Sequence, residues 1–104
     1  MQSAKKNTNI PNTFKLVYKD KISNEKIEFA QMCILLARNR FPNSAYEQAK
    51  LISNKFNEKY VKSTENLKSS WNCCLILRGY GYNYCSYHHS VKLEYNDMIY
   101  NIWI

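Results

Sequence analysis

Cys73, Cys74, Cys85, His88 and His89 bring soft ligands and nucleophiles together in one stretch of a 104-residue chain. A structural zinc site needs paired knuckles, each with two ligands able to reach one ion. Side chains alternate across a strand, so neighbouring Cys73 and Cys74 point to opposite faces and cannot share an ion without distortion. Only the Cys85-x2-His88 pair has knuckle spacing. A thiol beside an imidazole is a possible nucleophile and base, yet no glycine-rich turn, orienting third group or oxyanion-donor pattern accompanies it. The eight carboxylates form no acid/base pair. The expectation is therefore no catalytic residue, no metal and no cofactor. The cysteines then serve as small apolar residues, and His88-His89 as turn residues.

The charge of +7 raises the question of an anionic partner. Residues 1–68 hold thirteen Lys/Arg against six Asp/Glu, which accounts for all of the excess, whereas residues 69–104 are neutral. The aromatic residues lie elsewhere: Tyr80, Tyr82, Tyr84, Tyr87 and Tyr95 fall within sixteen positions. Nucleic-acid binding of the stacking kind needs basic groove and aromatic platform in one place, and here they are apart. Thirteen asparagines beside the many lysines point to compositional bias, which weakens charge as a sign of a partner. No apolar run approaches the ~18 residues of a membrane span. Residues 1–11 are polar without an apolar signal core, so a cytosolic protein with reduced thiols is expected.

The elements that must position these residues follow from periodicity. Residues 1–12 read as a disordered basic arm, and 13–104 as one domain. Residues 14–19 alternate around Leu16 and Tyr18, as a short strand does. Ser23 is an N-cap, with Glu25 and Glu28 where the helix dipole favours anions. Ile27, Ala30, Ile34, Ala37 and Phe41 then recur on one helical face until Pro42 stops the helix. Ser44 with Glu47 reads as a capping box opening a second helix, whose stripe is Ala45, Ala49, Ile52, Phe56 and Tyr60. After a polar loop, residues 71–77, 80–86, 90–96 and 98–104 form short aromatic and aliphatic runs. Arg78-Gly79, residues 87–89 and Asn96-Asp97 punctuate them, and such runs can pair as consecutive hairpins. Gly79 and Gly81 mark a bulge, sharp turn or close approach. The order β-α-α-β-β-β-β reads as a two-layer α+β arrangement.

Ala49, Ile52, Phe56-Asn57 and Tyr60, followed by Trp71-Asn72-Cys73 and Tyr80-Gly81-Tyr82-Asn83-Tyr84, carry a likeness. The chain resembles the small dimeric dynein light chain (LC-eight type) family over about residues 14–104. That family's core reads Phe-Asp-x-x-Tyr, then Trp-His-Cys, then Phe-Gly-Ser-Tyr. The resemblance implies two helices packed on a five-stranded antiparallel sheet (β-α-α-β-β-β-β), in a strand-swapped homodimer in which residues 80–86 cross to the partner's sheet. Target peptides then add to that strand beside the second helix. Gly79, Tyr80, Gly81, Tyr82, Asn83, Tyr84, Cys85 and Tyr95 would bind peptide, and Trp71, Asn72, Tyr82 and Tyr84 would form the dimer interface. The implied partners are a second copy and a dynein intermediate chain or other linear-motif proteins, in a microtubule-associated complex of the cytoplasm, with no nucleic acid and no membrane.

Departures from the family bear on specificity. Its charged groove positions become Ala45 and Tyr46, its strand serine becomes Tyr82, and Cys85-Ser86-Tyr87 replaces Thr-His-Glu. Of the groove-floor aromatics only Tyr95 matches, since Val91 and Leu93 stand for larger rings. Asn72 replaces an interface histidine, which removes a proton-sensitive group. The Tctex-type light chains share the gross layout, but the Phe56, Tyr60 and Trp71 spacing favours the LC-eight type. Two other classes compete with an adaptor. One is a small basic nucleic-acid-binding protein, which steep salt dependence would reveal. The other is a monomeric structural subunit of a motor assembly, which would not self-associate.

Overall fold

The computed structural model describes residues 14–61, 70–77 and 89–104. The expected arm, most of the loop after the second helix, and Gly79, Tyr80, Gly81, Tyr82, Asn83, Tyr84 and Cys85 lie outside those residues, as does His88. Within them the order is β1 (Lys15–Asp20), α1 (Asn24–Arg40), α2 (Ala45–Tyr60), β2 (Asn72–Leu77), β3 (Ser90–Tyr95) and β4 (Met98–Trp103).

Both helices begin where their caps dictate. Ser23 Oγ accepts from the Lys26 amide at 3.2 Å, and Ser44 Oγ from the Glu47 amide at 3.1 Å. Each bond satisfies one of the orphan donors of a first helical turn. Phe41 closes α1 by donating to the Ala37 carbonyl at 2.8 Å, immediately before Pro42. Lys21, His89, Asn96 and Asp97 have positive φ. The last two form the two-residue loop between β3 and β4, where Asn and Asp are among the residues that tolerate the left-handed region.

The four strands form one antiparallel sheet in the order β1-β3-β4-β2. The β3–β4 unit is the hairpin foreseen at Asn96-Asp97. β2 does not pair with the run that follows it among the described residues; it lies on the far side of β4, Asn72 opposite Trp103 and Leu77 opposite Met98. Alternation then sorts the side chains. Val91, Leu93, Tyr95, Tyr100 and Ile102 form a buried layer with Ala30, Cys33, Ile34 and Ala37 of α1 and Ile52 and Phe56 of α2.

One expectation for α2 requires correction. Ala45, placed on the apolar stripe, is exposed, and Gln48 is buried in its stead. The amide is tolerated because its nitrogen and its oxygen are each hydrogen-bonded. Gln48 Nε2 donates to the Phe41 carbonyl at 2.8 Å, Tyr100 OH donates to Gln48 Oε1 at 2.7 Å, and Arg38 Nη1 donates to Tyr100 OH at 3.0 Å. This chain joins the end of α1, the start of α2 and the centre of β4. A buried polar group costs little when paired and ~1–3 kcal/mol when orphaned. Burial, partly offset by Arg38, pushes the Tyr100 hydroxyl above its usual range, so it stays a donor.

Candidate functional site

The two outer strands of the sheet are built in opposite ways. β1 carries Lys15, Lys19 and Asp20, and its register with β3 shifts between Leu16 and Tyr18. Charge and irregularity of this kind blunt an edge against further pairing. β2 reads Asn-Cys-Cys-Leu-Ile-Leu, without a charge, and pairs with β4 in unbroken register over all six residues. The sheet of described residues ends at β2. An uncharged, regular, apolar edge is a template for another strand.

Residues before and beside β2 hold that edge in place. Asn57 of α2 faces the backbone of Trp71: its Oδ1 accepts the Trp71 amide at 2.6 Å and its Nδ2 donates to the Trp71 carbonyl at 3.4 Å. One side chain thus serves both backbone groups, as a neighbouring strand would. The Trp71 ring is buried against Phe56 (5.0 Å between centroids) and Tyr60 (6.3 Å), and Phe29 completes the cluster, 5.1 Å from Phe56. The Phe56, Tyr60 and Trp71 spacing noted in the sequence is therefore one aromatic contact set that fixes α2 against the start of β2.

Beside the edge runs a groove of about 350 Å³. Its helical wall is Tyr46, Ala49, Lys50 and Ser53 of α2, and its sheet wall is Asn72, Cys73 and Trp103. Lys50 Nζ lies 5.9 Å from the centre of the Tyr46 ring, one helical turn away. Helical spacing puts Tyr46, Lys50 and Ser53 on one face. The sequence marked Tyr46 as a groove position but did not point to Lys50, because position along a helix does not say which strand lies opposite.

Of the expected site residues that are described, Asn72 is exposed at the groove, with its Nδ2 donating to the Ser70 carbonyl at 3.1 Å. Trp71 is in the core of its own chain. Tyr95 is also buried, 4.6 Å from the Phe14 ring and with the Arg38 guanidinium 4.9 Å over it, so it is not among the groove-lining residues. The remaining seven peptide-binding candidates fall outside the described residues.

Two of the described thiols, Cys33 and Cys73, are poorly placed for chemistry. Burial pushes Cys33 up to about 11, against a lowering influence from Lys55. Burial raises Cys73 further, with Cys74 adding to it. Such thiols stay protonated near neutral pH, and the thiolate is the form that attacks or ligates. His89 is engaged structurally, its Nδ1 3.0 Å from the Lys21 carbonyl. No group of three metal-ligating side chains occurs among the described residues, and no described helix is long and apolar enough to cross a membrane.

Among solved structures, the chain is similar to a domain of the Fasciola hepatica calcium binding protein FhCaBP2, described as dynein light chain-like. The mercury derivative matches with a TM-score of 0.65 at 15% identity, over 86% of this chain and 89% of that one. The native crystal gives 0.66 at 15% identity, over 88% and 89%. The fold is dynein light chain-like. No protein-family model and no curated protein matches the sequence. What the fold provides here is specific: two helices pack against the sheet, and α2 runs beside β2 with a groove between them.

Proposed function

We propose that the chain is a non-catalytic adaptor of the LC-eight dynein light chain type, a homodimer that holds linear peptide motifs by strand addition. Residues 80–86 of each copy pair with the open edge of β2 in the other, completing a fifth strand. The outer edge of that strand, facing α2, then receives an extended segment of a partner such as a dynein intermediate chain. Main-chain hydrogen bonds supply affinity, and side chains on alternate positions supply selectivity. The setting is a microtubule-associated motor complex in the cytoplasm.

The observation that carries this reading is the contrast between the sheet's two edges. A chain under pressure to avoid association guards every edge, and among the described strands the charges and register shift are on β1, not β2. The aromatic set of Phe56, Tyr60 and Trp71 supports the LC-eight type over the Tctex type, because the motif residues of the former are those in contact. Dimerisation also suits a small domain, which buries only ~60–65% of its unfolded surface.

Asn83→Pro tests the proposal. Proline removes a ladder donor from the crossing strand. In sedimentation velocity the parent chain is expected to run as a dimer and the variant as a folded monomer that no longer binds peptide. A variant that dimerises and binds like the parent contradicts the reading.

A further inference from the structure

A second groove, of about 490 Å³, lies between the two helices, and no described strand lines it. Phe29, Met32, Cys33 and Leu36 of α1 form one wall, and Lys55, Glu58 and Lys59 of α2 form the other. The α1 residues recur at helical spacing over two turns, about 10 Å at the usual rise. α1 already buries Ala30, Ile34 and Ala37 in the core, yet Met32 is 58% exposed and Leu35 beside it is exposed as well. An exposed apolar patch with a polar rim marks an interaction surface. The rim is cationic on balance. Lys59 Nζ lies 5.3 Å from the centre of the Phe29 ring and 5.7 Å from that of Tyr60, which holds it over the α1 wall. Lys55 and Glu58 also border the adjoining depression with Arg40, Glu47 and Lys50. Together the two hollows carry four cations, Arg40, Lys50, Lys55 and Lys59, against the carboxylates of Glu47 and Glu58.

We propose that this groove between α1 and α2 docks an acidic amphipathic helix of a partner protein, at a site separate from β2 and independent of strand addition. Shape favours a helix. A small ligand needs a pocket that buries most of its surface, whereas a helix laid in an open trough brings its own opposite side. Apolar residues at i, i+3 and i+7 of the docked helix span the two turns of the α1 wall. Met32, unbranched and adaptable, conforms to them. Charge sets the sign of the partner. Lys55 and Lys59 stand one turn apart, about 6 Å along α2, so acidic residues one turn apart on the docked helix meet both. Glu58 stands between the two lysines and opposes an acid there, leaving two ammoniums against one carboxylate along this wall. A second copy of this chain is a poor occupant, because its like face brings lysines onto lysines. The apolar wall supplies affinity, and the rim pairs, exposed and screened by salt, supply a modest preference.

The test uses the full-length chain and three alanine-rich peptides of about 15 residues, the length at which such a helix begins to hold. They share leucines at i, i+3 and i+7 and carry Glu, Gln or Lys at two flanking positions one turn apart. Fluorescence anisotropy at low salt is expected to rank them Glu, then Gln, then Lys, with about two- to fivefold between neighbours, the range exposed pairs supply. Amide shifts on binding are expected to concentrate on residues 29–36 and 55–59 and to spare 72–77. Met32→Glu is expected to weaken the Glu peptide about tenfold, as a charge replaces apolar contact, with circular dichroism unchanged because the position is exposed. Glu58→Gln is expected to tighten the same peptide about twofold. Equal affinity for all three peptides overturns the acidic preference. Shifts centred on residues 72–77, a Met32→Glu variant that binds like the parent, or binding of none of the peptides overturns the site. A sedimentation coefficient that falls in Met32→Glu assigns the face to a second copy of the chain and overturns the proposal too.

Discussion

Tyr100 and Gln48 show what single side chains contribute to this fold. Both are buried, and each is the other's partner, with Arg38 and the Phe41 carbonyl at the two ends of the chain. Tyr100→Phe deletes one hydroxyl and leaves the Gln48 carbonyl oxygen buried without its donor. Urea unfolding of this variant is expected to show a loss of about 1–3 kcal/mol. Combining it with Gln48→Met is expected to cost less than the sum of the two single changes, because neighbours in one network are not additive. A strictly additive pair would mean the two groups act independently. The aromatic stripe residues were legible in the sequence from spacing alone, but Gln48 was not. A glutamine at a helix N-terminus reads as surface until the carbonyl of the preceding helix end and a tyrosine from a distant strand are known to meet it. Ala45 was misjudged for the complementary reason. Its apolar side chain fits the stripe, but it sits at the first helical position, where the chain is still turning over the domain's surface.

Elements bring the edge into being. Both helices were legible from caps and period, since Ser23, Ser44 and Pro42 act locally and need no tertiary partner. The Asn96-Asp97 turn was legible for the same reason. Strand order was not, because pairing β2 with β4 across an intervening segment is a long-range event that no local pattern records. β1 illustrates a further limit. Its alternation suggested one buried face, yet Leu16, Val17 and Tyr18 are all exposed, the register shift between Leu16 and Tyr18 breaking the alternation where it would have packed. Asn57 is the residue through which α2 sets the start of β2. Asn57→Asp keeps the acceptor for the Trp71 amide but loses the donor to its carbonyl, whereas Asn57→Ala loses both. The expected order of stability is parent, Asp, Ala, with the alanine variant down by about 1–3 kcal/mol as a buried amide loses its partner. Amide exchange at Trp71 is expected to accelerate in the same order. Equal exchange in all three would show that the aromatic cluster alone positions β2.

At the scale of the whole molecule, the proposed dimer and its peptide capture rest on a contrast between the two outer strands of the described sheet. β1 carries lysines and a register shift, whereas β2 is uncharged and in unbroken register with β4, and the sheet of described residues ends there. In the proposed dimer, self-association and peptide capture would both depend on the β2 edge, and a folded dimer becomes more stable as protomer concentration rises. Hydrogen exchange of residues 72–77 and 80–86, measured over a range of concentrations, tests this most directly. The account predicts that both segments become protected together as the dimer forms and lose protection together on dilution or in Asn83→Pro. Outward-facing β2 amides that exchange freely at every concentration, or protection of both segments in a chain that stays monomeric, would contradict it.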